Sequence, residues 1–126
     1  MVKHGAVAWF EIGTPDSPAT REFYAQLFGW TYADTPDVGM PYHIVTTGDG
    51  HPIQGGVLDT RGEFPAYAVP CVVVEDTAAT VAKVEELGGK VLVPPKAVPN
   101  GMSIAYVVDP HGNEIGLFTP PPGEEV

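Results

Sequence analysis

Basic residues are scarce in this chain. Six Lys+Arg stand against sixteen Asp+Glu in 126 residues, a net charge of −10. Phosphate backbones and anionic bilayers are held by basic footprints, so neither nucleic acid nor a membrane surface is an expected partner. Cysteine is scarcer still. Cys71 stands alone, which excludes an internal disulfide and a cysteine-cage metal site. No apolar run approaches the ~20 residues that span a bilayer. The opening segment, MVKHGAVAWFEI, carries Glu11 where the apolar region of a signal peptide would continue, so export is not expected and a cytoplasmic location is. What is present suits an ordinary packed core: 44% hydrophobic and 17% charged residues, in a length typical of one domain, 1–126. The closing TPPPGEEV is Pro-rich and acidic, and residues 121–126 are expected to form a flexible tail.

The chain repeats itself. A shift of 60 residues sets Asp16 on Asp76, Ala19-Thr20 on Ala79-Thr80, Leu27 on Leu87, Gly29 on Gly89, Ile44 on Ile104, His51 on His111 and Gly56 on Gly116. No gap is needed from Asp16 to Leu58. Ahead of that, the first copy has two extra residues (IGTPD against VED), which pairs Ile12 with Val74 and Val7 with Val69. Each copy reads as a strand (AVAWFEI or YAVPCVVV), a helix opened by Asp16-Ser17 or Asp76-Thr77, and three short strands. Ala19, Phe23 and Leu27, and Val81, Val84 and Leu87, fall at helical spacing and are the expected buried stripes. Gly29 and Gly88-Gly89 are stop signals. The later strands are expected near 30–34, 41–47 and 53–58, then 90–94, 102–108 and 113–118. The fold class is α+β, βαβββ twice, with modules of about 5–60 and 65–120.

That doubled unit, with TPDSPATREFYAQLFGW opening the first helix and DPHGNEIGLF as the last strand, resembles the vicinal oxygen chelate superfamily: the glyoxalase, bleomycin-resistance and extradiol dioxygenase proteins. The resemblance covers nearly the whole chain. It implies that the two modules form a cup-shaped partial barrel. It also implies metal ligands on four strands, a His on the first and a Glu on the last strand of each module. Carried over position by position, these fall on Val7, Gly56, Val69 and Gly116, none of which has a side chain that binds a cation. No cofactor is expected on that reading. Homodimers are common in the family, so a homodimer is expected as well.

Strand alternation then assigns faces. With Val7 inward, Trp9 and Glu11 follow, while Ala6, Ala8, Phe10 and Ile12 lie under the helix. With Gly56 inward, Gln54 follows. Val69, Cys71 and Val73 face in. With Gly116 inward, Glu114 follows, while Ile115 and Leu117 pack under the helix. Apolar walls with a few polar groups suit a small-molecule pocket. Trp9 either stacks on a ligand or fills the cup as core. Glu11 and Glu114 are either solvated at the rim or, if buried, candidate general bases. Cys71 reads as a small buried hydrophobe that lines the cup. His51 and His111 occupy equivalent turns and read as turn chemistry. His4 falls near a fraying end. His43, mid-strand in PYHIVTT, could line the cup, and with Glu11 or Glu114 could hold a divalent metal through displaced ligands.

Three functions follow. The first is a metal-free binder of a small, partly aromatic molecule, with Trp9, Glu11, His43, Gln54, Cys71 and Glu114 at the ligand. The second is an enzyme, a lyase, isomerase or dioxygenase-like protein using Glu11 or Glu114 as base or a displaced metal. The third is an interaction module whose cup its own side chains fill. Glyoxalase chemistry itself is disfavoured, because polarising vicinal oxygens requires the chelate.

Overall fold

The computed structural model describes residues 4–35, 40–48, 53–98 and 101–121. His51 and most of the tail lie outside the described residues. The elements run β1 (Val7–Thr14), α1 (Ser17–Phe28), β2 (Thr31–Asp34), β3 (Tyr42–Thr46), β4 (Gln54–Asp59), β5 (Tyr67–Val73), α2 (Thr77–Glu86), β6 (Lys90–Ala97), β7 (Ser103–Val108) and β8 (Glu114–Thr119). This is an α+β chain with the βαβββ order twice. It divides into two compact units, Trp9–Ala68 and Met1–Ala8 with Val69–Val126.

In Trp9–Ala68 the strands lie in the order β2-β3-β4-β1. β1 and β4 are parallel, and the other pairs are antiparallel. Asp16 caps α1, its carboxylate accepting the Ala19 N–H at 3.1 Å. Gly29 closes the helix in the left-handed region at φ 77°, where its N–H bonds the Ala25 carbonyl. The helix meets the sheet through aromatic rings. Tyr24 stacks on Trp30 with centroids 5.1 Å apart, and Trp30 tilts against Phe10 at 5.5 Å. Val45 and Val57 are fully buried beneath them. The expected stripe is therefore corrected. Phe23 and Leu27 are 59% and 57% exposed, and Tyr24 is the ring that packs inward.

The second unit orders its strands β5-β8-β7-β6, with β5 and β8 parallel. Asp76 repeats the cap, accepting from Ala79 N–H at 3.1 Å. The core under α2 is Val74, Val81, Ala105, Val107 and Leu117, joined by Val72, Val84, Val91 and Ile115. Leu117 and Ile115 face the helix as alternation requires. Leu87, placed in the stripe from spacing, is the C-cap residue just past the helix end at Glu86 and is 68% exposed. β6 runs on to Ala97 through Pro94 and Pro95. It tolerates them because it ends the strand order, where an edge strand can lack donors, and because its pairing is bulged between Val91 and Lys96.

Candidate functional site

Ladder partners share a face, so the registers fix which side chains meet. Glu11 pairs with Gly56, and Gly56 with Ile44. Trp9 pairs with Gln54, and Gly13 with Leu58 and so with Tyr42. These rows form the face opposite α1. Phe10, Ile12, Val45 and Val57 form the other.

On the face opposite α1 one carboxyl group gathers three aromatic side chains. Glu11 is 6% exposed. Its Oε1 accepts the Tyr42 hydroxyl at 3.0 Å, and its Oε2 accepts the Tyr67 hydroxyl. The Tyr42 oxygen in turn accepts the Trp9 indole N–H at 2.9 Å. Burying a carboxyl group demands such donors. Two glycines make the geometry possible. The Tyr67 ring lies where any side chain at Gly13 would project, and the Tyr42 ring lies where one at Gly56 would project. Phe64 stacks on Tyr67 with centroids 6.3 Å apart.

Of the residues expected at the ligand, Trp9 and Glu11 lie in this cluster, and Tyr42 and Tyr67, not expected there, join them. His43, also expected there, lies elsewhere. His43 belongs to the row Ile12–Val57–His43–Asp34, on the α1 side of the sheet. Its Nε2 contacts the Asp34 carboxylate at 3.0 Å. It does not meet Glu11, and the metal pair built from those two is not formed. Gln54 is exposed at the start of β4. His4 is not idle at a frayed end, since its Nδ1 accepts the Glu75 N–H at 3.0 Å. His111 sits in a turn organised by Asp109, whose Oδ1 accepts the N–H of His111 and of Asn113.

In the second unit Cys71 pairs with Gly116, and Tyr106 pairs with Gly116 from the other side. The Cys71 Sγ stands 3.0 Å from where a Gly116 Cβ would be, and the Tyr106 ring 3.4 Å. Cys71 is 6% exposed, a small packed hydrophobe. Glu114 is half-buried at the start of β8. The shift that carries Gly56 onto Gly116 also carries Glu11 onto Cys71, so the ladders pair the modules without the two-residue offset read from the sequence.

The four positions that the resemblance suggested do not fit a chelated ion, and Val7 and Val69 lose their equivalence once the offset is gone. Val7 is 62% exposed, Val69 is buried, and neighbouring side chains crowd the space beside both glycines. Among the described residues no three His, Cys, Asp or Glu side chains group as metal ligands would. A shallow cleft of about 310 Å³ opens elsewhere, at the start of α2, with Asp76, Thr77, Lys96 and Ser103 among its walls. Its Thr77 and Ser103 hydroxyls bond each other at 2.6 Å.

The chain is 32% identical to the anthracycline biosynthesis protein DnrV of Streptomyces peucetius, over 90% of this chain and 46% of that protein. DauV of Streptomyces sp. (strain C5), also named for anthracycline biosynthesis, matches over the same shares. The chain thus spans about half the length of these curated relatives. Among solved structures, a Streptomyces coelicolor methylmalonyl-CoA epimerase with 2-nitronate-propionyl-CoA superposes at TM-score 0.65 and 19% identity, over 98% of this chain and 99% of that one. At that identity the likeness carries the fold alone. The family model described as Glyoxalase/Bleomycin resistance protein/Dioxygenase superfamily matches residues 6–117, and the chain belongs to that superfamily.

Proposed function

We propose that the protein holds a small, partly aromatic molecule against Trp9, Tyr42 and Tyr67, on the sheet face opposite α1, without the family's chelate. The observation that carries this reading is the hydrogen-bonded cluster around Glu11. Rigid amphipathic rings fixed by polar groups are what such sites use to bind and orient flat ligands. The crowding at Gly56 supports the loss of the metal, because a carboxylate side chain there would have to displace the Tyr42 ring, while Gly116 is tight against Cys71.

The test is a screen of partly aromatic small molecules by ligand-induced thermal stabilisation, repeated on Trp9→Ala and Tyr67→Ala. Binding should weaken at least tenfold in both variants. A ligand indifferent to both sits elsewhere and removes the reading. A face filled only by its own side chains would show no stabilisation by any compound.

The same bonds favour a second reading, proton transfer by Glu11 with Tyr42 and Tyr67 as its relay. Turnover found with any substrate should then be lost in Glu11→Gln while folding is kept. The exposed Phe23, Leu27 and Phe28 of α1 support self-association into the homodimer the family suggests. Light scattering that finds only monomer across the micromolar range would dismiss it.

A further inference from the structure

The geometry points to the charge of the ligand: an organic cation, a protonated amine or quaternary ammonium carried on an aromatic frame. This inference rests on the reading above and adds the chemistry that the aromatic face selects.

Three observations carry it. Trp9, Tyr42 and Tyr67 surround one buried carboxyl group, and Phe64 extends the ring surface beyond Tyr67. Aromatic faces attract ammonium groups through their negative quadrupole, with tryptophan the strongest. The donors of these three rings are also committed inward. The Trp9 N–H points at the Tyr42 oxygen, and both phenol protons point at Glu11. Hydrogen bonds in such a chain polarise one another, and a phenol donating to a carboxylate becomes richer in electrons over its ring and oxygen. An anionic ligand would approach ring faces and acceptors, whereas a cation meets complementary charge. The surroundings agree. Residues 9–68 contain two basic side chains, Arg21 and Arg61, against eight Asp+Glu. Arg21 bonds Ser17 on α1, from Nε to Oγ at 3.1 Å. With a net charge of −10, the protein concentrates cations near its surface at low ionic strength.

The probes are naphthylmethylamine, its neutral counterpart naphthalenemethanol, and naphthoate, titrated calorimetrically into the full chain at low and at high salt. The amine should bind at least tenfold tighter than the alcohol, and naphthoate more weakly than both. High salt should narrow the gap. Glu11→Gln should reduce the amine's preference to less than threefold. Should that variant fail to fold, Trp9→Leu, at a half-buried position, should reduce it likewise. An alcohol that binds as well as the amine, a tighter naphthoate, or a preference unchanged in both variants overturns the charge assignment and leaves the aromatic site standing. If none of the three binds, the aromatic site itself fails.

Discussion

The ring of Tyr42 occupies the space that any side chain at Gly56 would enter, and its hydroxyl there bonds Glu11 and Trp9. The position that the family resemblance assigns to a metal-binding carboxylate is therefore the seat of a tyrosine. Gly56→Ala should cost about 1–3 kcal/mol, the usual range for forcing an extra carbon into a packed site. Tyr42→Ala combined with Gly56→Ala should show strong coupling, because removing the Tyr42 ring relieves the clash that Gly56→Ala creates. Denaturant unfolding of the two single variants and the double variant measures this. Strict additivity would contradict the contact.

Tyr32 makes a second test, on the α1 side of the sheet. Its hydroxyl is buried and has no hydrogen-bond partner among the described residues. Burial pushes its phenol above the usual tyrosine value, partly offset by Arg21. The unfolded chain then ionises first. The stability tied to this group is present below about pH 10 and is lost as pH rises through the folded value. Tyr32→Phe should raise stability at neutral pH by about 1 kcal/mol, by removing an unsatisfied polar group, and should flatten the alkaline decline. An unchanged alkaline slope would count against this account of Tyr32.

Asp109 shows the opposite shift in an exposed turn. The Asn113 side-chain amide, then the N–H groups of Asn113 and His111, bond its carboxylate and hold it below the ordinary range. The stabilisation is present above the unfolded aspartate value and fades as pH falls through the folded one. Asn113→Ala should move the Asp109 titration upward in an NMR pH series. No movement would show that the backbone donors alone set it.

Much of this was legible in the residues. Asp16 and Asp76 announced two helix starts, and the caps formed as read. Trp9 and Glu11 were found because β1 carries its polar and apolar residues on alternate sides. β3 gave no such anchor. Ile44 and Val45 are both apolar, so alternation could not say whether Tyr42 or His43 shared the face of Glu11, and only the ladder decides. Helix α1 hid its inner side for the same reason. Tyr24 and Ala25, which are partly buried, sit next to the equally apolar Phe23 and within one turn of Ala19 and Leu27, so the period alone could not separate the two sides. Tyr67 was out of reach because it leans over Gly13, a contact between strands distant in sequence. A glycine two residues from a buried acid in a strand was the available signal.

The most direct measurement is thermal unfolding of chelator-treated protein with Ni²⁺, Zn²⁺, Mn²⁺ or Fe²⁺ and, separately, with the best aromatic ligand from the screen. A compound that binds the folded state adds about 2.7 kcal/mol of stability at a hundredfold excess over Kd. The account predicts a rise with the aromatic ligand that disappears in Trp9→Ala, and none with any metal. A clear rise with one metal, and none with any aromatic compound, would contradict it.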